Sequence, residues 1–82
     1  MTHDVLTEIF AALRSVAPEV DPAAVDRRAV FVEALDLDSM DFVNFIAAVS
    51  ARLGVDIPEA DYPKVQTLDD VVRYVGRSRH EW

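Results

Sequence analysis

The sequence predicts an all-α protein, a four-helix bundle with a long loop between helices 1 and 2 and a short third helix. Three observations carry that expectation. Four stretches place apolar residues at helical spacing, and no alternating apolar–polar stretch competes with them. Proline and glycine fall between or at the ends of those stretches, at Pro18, Gly54, Pro58, Pro63 and Gly76, where they punctuate helices. Of the 82 residues, 51% are hydrophobic, enough for one core in one domain and too many for a disordered chain.

In the first helix Val5, Ile9, Leu13 and Val16 share a face, with Leu6 and Phe10 beside them. Pro18 disfavours helical geometry at Ala17 and closes the segment. Residues 19–37 form the long connection. Within it, Asp21-Pro22 reads as a cap and a first-turn proline, which predicts one helical turn. Phe31, Leu35 and Leu37 are expected to anchor the connection on the bundle. The second helix runs from Asp38-Ser39 to Leu53 and stops at Gly54. Asp38 is its expected N-cap, and Asp41 adds negative charge to its first turn. Ile57-Pro58 breaks the chain, and Glu59 to Tyr62 forms the short third helix before Pro63. The last helix opens with Thr67-Leu-Asp-Asp70, a capping box with aspartate in place of glutamate. Leu68, Val71, Val72 and Val75 supply its apolar face, and Gly76 is expected to end it. The domain then spans residues 1–76, with residues 77–82 as a polar tail.

Composition excludes several functions. There is no cysteine, hence no disulfide framework, thiolate nucleophile or cysteine zinc site. The first ten residues carry acids where an export signal needs positive charge, and no apolar run is longer than that from Phe45 to Val49, far too short to insert in a membrane. A cytoplasmic monomer is expected. The net charge of −7 opposes nucleic acid binding. That charge is concentrated: residues 33–61 hold seven acids (Glu33, Asp36, Asp38, Asp41, Asp56, Glu59, Asp61) against one base, Arg52. Such a patch either solubilises the surface or attracts basic partners.

The second helix has two apolar stripes. Phe42, Phe45, Ile46, Val49 and Leu53 gather on one side and suit a core; Met40, Val43 and Ala47 gather roughly 150° away at about 100° per residue, with Ser39 at their edge. Either the long loop covers this second stripe, or it is an exposed docking strip with an apolar centre and an acidic rim. Other chemistry fails on the residues. As a calcium loop, Asp36 to Ala47 lacks a ligand at Met40, a glycine at Asp41 and a glutamate at Ala47. A hydrolytic Ser39 needs a base, and the two histidines, His3 and His80, lie near opposite termini, where they also make a poor metal site. Asp36 and Asp38 lack a pocket to tune them for acid–base work.

The stretch Leu35-Asp-Leu-Asp-Ser-Met-Asp41 resembles the attachment motif of acyl carrier proteins, with Asp38-Ser39-Met40 in place of the commoner Asp-Ser-Leu. The resemblance continues in order over about 70 residues. It includes the first helix, the long loop, Phe31-Val-Glu-Ala-Leu35, Arg52-Leu-Gly-Val-Asp-Ile-Pro58, the short third helix and Thr67-Leu-Asp-Asp-Val71. It implies a bundle of acyl-carrier type that catalyses nothing itself. A 4'-phosphopantetheine group would be attached covalently at Ser39 by a phosphopantetheinyl transferase, and its thiol would carry acyl groups as thioesters. Two departures stand out. The family usually approaches the motif through Asp-Leu-Gly, where this chain has Ala34-Leu35-Asp36. Its second helix often stays acidic, where this chain has Asn44, Ser50, Ala51 and Arg52.

The resulting expectation is a discrete acyl carrier for a specialised or secondary-metabolic pathway. Its acyl-loading and acyl-processing partners would bring basic surfaces to Asp36, Asp38, Met40, Asp41, Val43 and Ala47. An aminoacyl or peptidyl carrier is the alternative within the class. An unmodified helical adaptor using the Met40–Val43–Ala47 strip is the alternative outside it.

Overall fold

The computed structural model describes residues 5–21 and 23–78. His3, His80, Pro22 and the tail from residue 79 lie outside the described residues. Three longer α-helices form the bundle: α1 (Val5–Val16), α3 (Ser39–Leu53) and α4 (Leu68–Ser78). Two short elements join them, α2 (Phe31–Ala34) and a 3-10 helix (Glu59–Lys64). Among the described residues there is no β-strand, only an isolated antiparallel bridge between Val30 and Thr67.

The core follows the apolar periodicity. Ile9, Ala12 and Leu13 of α1 face Phe42, Phe45, Ile46, Val49 and Leu53 of α3, and Leu68, Val71 and Val75 of α4 join the same buried cluster. Val55, Ile57 and Val65, in the irregular segments flanking the 3-10 helix, are buried with them. The expected Asp38 cap and Thr67 capping box both form, and Asp41 turns the Asp38 cap into a second box. At α3 the Asp41 amide donates to Asp38 Oδ1 at 2.8 Å and the Asp38 amide to Asp41 Oδ2 at 3.3 Å. At α4 the Asp70 amide donates to Thr67 Oγ1 at 3.0 Å and the Thr67 amide to Asp70 Oδ2 at 3.3 Å. Gly54, with φ 67°, ends α3 in the left-handed conformation that a side chain would strain.

Three boundaries differ from the sequence expectation. The helical turn of the long connection sits at Phe31–Ala34, whereas Asp21 opens a single turn, closed by Ala24 N–H donating to the Asp21 carbonyl at 2.9 Å. Asp21 Oδ1 also accepts from the Ala23 amide at 3.0 Å, so its side chain serves a local turn rather than a helix. The 3-10 helix continues through Pro63 to Lys64, because a short 3-10 segment does not need the hydrogen bond that proline lacks. Gly76 does not stop α4. The helix runs on to Ser78, past the expected boundary at residue 76, since a glycine near a helix end that stays out of the left-handed region only weakens the turn. Of the two readings of the second stripe of α3, the uncovered one holds among the described residues: Met40 is 65% exposed, Val43 is 42% exposed, and Ala47 is exposed.

The long connection is held by Phe31, which is fully buried, and by half-buried Leu35 and Leu37. Backbone bonds tie the same segment to the start of α4: Phe31 N–H donates to the Gln66 carbonyl at 3.2 Å and Asp69 N–H to the Arg27 carbonyl at 3.0 Å. The 3-10 helix is fastened to α4 by Tyr74, whose hydroxyl donates to Asp61. That bond lowers the Asp61 pKa and pushes Tyr74 up to about 12, with burial and the nearby carboxylates adding to the rise.

The two stripes of α3 set a stability contrast. Phe45→Ala should cost about 3–5 kcal/mol, a large share of what a domain of this size has. Met40→Ala should change stability by no more than about 0.5 kcal/mol. Denaturant midpoints check this, and similar midpoints for the two variants would mean the stripes are exchanged.

Candidate functional site

Ser39 is the first residue of α3, exposed, and directly follows the capping Asp38. Because Asp38 supplies the cap, the Ser39 hydroxyl is not needed to end the helix. The amides of Ser39 and Met40 precede the first intrahelical bond, made by Phe42 N–H to the Asp38 carbonyl at 3.1 Å, so they have no helical carbonyl to meet. Those amides and the helix dipole favour negative charge at this point.

The approach to Ser39 is shaped by the end of α2. Leu37 N–H donates to the Val32 carbonyl at 2.9 Å and Asp36 N–H to the Glu33 carbonyl at 3.3 Å, the paired bonds of a Schellman motif. Its left-handed position is Asp36, at φ 56°, the one positive-φ residue other than glycine among the described residues. This is where the resembling family usually places glycine. Aspartate tolerates the conformation better than most side chains, so the turn survives the departure.

The predicted site residues lie on α3 or just before it. Asp36 and Asp38 are exposed before the helix, Asp41 is half-buried in its first turn, and Met40, Val43 and Ala47 lie exposed along it. Sequence reasoning missed two features. A cleft of about 280 Å³ opens beside Ser39, lined also by Val30, Val32, Glu33, Phe42 and Gln66. Gln66 stands 27 places away in an irregular stretch, and nothing in its neighbours marks it. The second is Arg52, whose guanidinium meets Glu8 of α1 at 3.1 Å. Among the described residues, no group of three or more His, Asp or Glu is placed to hold a metal, and no helix is long and apolar enough to cross a membrane.

A small helical bundle that presents an exposed serine at a helix start, beside an open cleft, has the form of a carrier domain. Residues 4–75 match the family model described as "Phosphopantetheine attachment site". The chain is 36% identical to an acyl carrier protein of Wolinella succinogenes, over 87% of this chain and 97% of that protein. It is 34% identical to a meromycolate extension acyl carrier protein of Mycolicibacterium aurum, over 90% of this chain and 79% of that one. A solution structure of a protein from Anaplasma phagocytophilum shares the fold with a TM-score of 0.82. It covers 94% of this chain and 90% of its own at 22% identity. The chain belongs to the acyl carrier protein family. It is a carrier and not an enzyme. It bears a covalently attached 4'-phosphopantetheine group and works with phosphopantetheinyl transferase and acyl-processing enzymes. When bound, the group supplies a terminal thiol that holds acyl cargo as a thioester. The exposed hydroxyl and uncommitted amides at Ser39 fit such a group.

The left-handed Asp36 has a measurable consequence. Asp36→Ala should cost about 1–2 kcal/mol, the penalty of a Cβ in that conformation without a short polar side chain. Asp36→Asn and Asp36→Gly should stay close to wild type. Thermal or denaturant unfolding of the three variants checks the order.

Proposed function

We propose that Ser39 is the attachment residue and that the chain serves as a discrete carrier in a specialised, secondary-metabolic pathway. The observation that carries the first part is the exposed Ser39 at the first turn of α3, with capping assigned to its neighbour. In the transfer, Ser39 Oγ bonds to the phosphorus that bears the pantetheine arm. The pyrophosphate bond of coenzyme A breaks, the adenosine bisphosphate portion leaves, and the hydroxyl proton passes to the transferase. The free amides of the helix start would favour the negative charge of the phosphodiester.

Partner recognition centres on the same corner. Met40, Val43 and Ala47 provide an apolar contact, and Asp36, Asp38 and Asp41 a negative rim for basic partner surfaces. The later turns of α3 carry Asn44, Ala47, Ala48 and Ala51, and the positive charge of Arg52 is drawn to Glu8. A partner that reads acids along the whole helix loses charge pairs here, which favours dedicated partners over those of bulk fatty acid synthesis. Similarity to a meromycolate extension carrier supports a specialised role. The carrier unit acts as a monomer in the cytoplasm.

Incubation with a broad-specificity phosphopantetheinyl transferase, coenzyme A and magnesium should add the mass of one phosphopantetheine group. Ser39→Ala should abolish the addition and leave the far-ultraviolet spectrum unchanged. Addition that persists in Ser39→Ala would refute the assignment.

For a cognate partner, Asp36→Asn should slow association at low salt and reduce the salt dependence, while Met40→Ala should chiefly speed dissociation. Asp36→Asn suits this measurement because it removes the charge and keeps the left-handed turn. Unchanged association rates across ionic strengths would take Asp36 out of the recognition surface.

A further inference from the structure

An apolar cargo tethered to Ser39 is driven to leave water, and the nearest apolar volume is the bundle interior behind the cleft. That route is closed by rings. Phe42 lines the cleft and stacks on Phe31, with ring centroids 5.9 Å apart and planes at 26°. Phe31 in turn meets Phe45 edge-on at 5.0 Å, and Tyr62 meets Phe42 edge-on at 5.1 Å. Phe31 and Phe45 are fully buried, as are Val49, Val65 and Leu68. Rings in edge and stacked contact with one another offer few alternative rotamers, so a chain cannot enter without displacing several of them together.

The cleft itself is a small bed for an alkyl chain, about 280 Å³, and its apolar Val30, Val32 and Phe42 are bordered by two polar side chains. Glu33 is exposed at its rim, and the Gln66 side chain is held by Nε2 donating to the Tyr62 carbonyl at 2.8 Å. An alkyl chain lying there would cover a carboxylate and an amide oxygen without satisfying either. Short acyl groups, or those with polar substituents, suit the cleft because they lose little by staying in water. We infer that the Phe31–Phe42–Phe45–Tyr62 cluster bars cargo from the interior, so that this carrier presents short or polar acyl groups in a solvent-facing cleft. The inference rests on Ser39 as the attachment residue.

The test loads the full chain from coenzyme A, acetyl-, hexanoyl- and dodecanoyl-coenzyme A with a permissive transferase, confirms each product by intact mass, and measures thermal midpoints. The acetyl, hexanoyl and dodecanoyl forms should lie within about 2 °C of the unacylated form, less than the shift from 1 kcal/mol of added stability in a domain this size. A midpoint that climbs with chain length beyond that range overturns the inference. Tyr62→Ala and the milder Phe42→Leu open the cluster. In at least one of them the dodecanoyl form should melt about 4–8 °C above the acetyl form. Length-independent midpoints in both variants would show that the rings are not the barrier, and also overturn it. A failure to add mass at Ser39 instead removes the attachment reading, and this inference with it.

Discussion

Phe42, Phe45, Ile46, Val49 and Leu53 leave water together when α3 docks on the bundle, and that common burial fixes the rotation of the helix about its axis. Fully burying a side chain of this size stabilises by roughly 1.5–3 kcal/mol, so a rotated helix with two phenylalanines in water has no competing source of stability. The opposite face must then point outward. Ser39, Met40, Val43 and Ala47 are exposed because their neighbours are buried. Functional placement and core packing are two consequences of one constraint.

Around that helix, short-range polar interactions decide where the chain turns. Asp38 and Asp41 cap α3 and remain at the surface as negative charge, so the same carboxylates end a helix and colour the site. Asp36 closes the preceding turn in a left-handed conformation and delivers the chain to Asp38 after one further residue. At the other end of α3, Arg52 reaches across to Glu8. An exposed pair of this kind adds little stability, about 0–1 kcal/mol. Its effect is on the surface field, because it draws the single positive charge of the acidic region toward α1.

The long connection adds what neither helix face supplies. Phe31 enters the core from it and makes a continuous set of ring contacts with Phe42 and Phe45, extended by Tyr62. The backbone bond from Phe31 to Gln66 holds this segment to the start of α4. As a result the ring cluster behind the cleft is built by three separate parts of the chain, α2, α3 and the 3-10 helix.

Much of this was legible in the sequence, wherever one segment's own chemistry is decisive. Apolar spacing located α1, α3 and α4, and the Asp38 and Thr67 caps marked two helix starts to the residue. Gly54 marked a helix end for the same reason, since a left-handed C-cap excludes most side chains whatever surrounds it. Gly76 shows the limit: a glycine permits that conformation without demanding it, and α4 passes through. The helical turn at Phe31–Ala34 was hidden because four residues are too few for a period to show, and it exists through its buried phenylalanine and its bonds to distant residues. The sequence by itself determined the three longer helices, the caps at Asp38, Gly54 and Thr67, and the serine at the start of α3. Only the tertiary structure decided that the Met40–Val43–Ala47 stripe stays uncovered, that Gln66 and Glu33 flank Ser39, and that Arg52 turns to Glu8. Those outcomes depend on which separated segments share the space around α3, a competition for contact that no local spacing encodes.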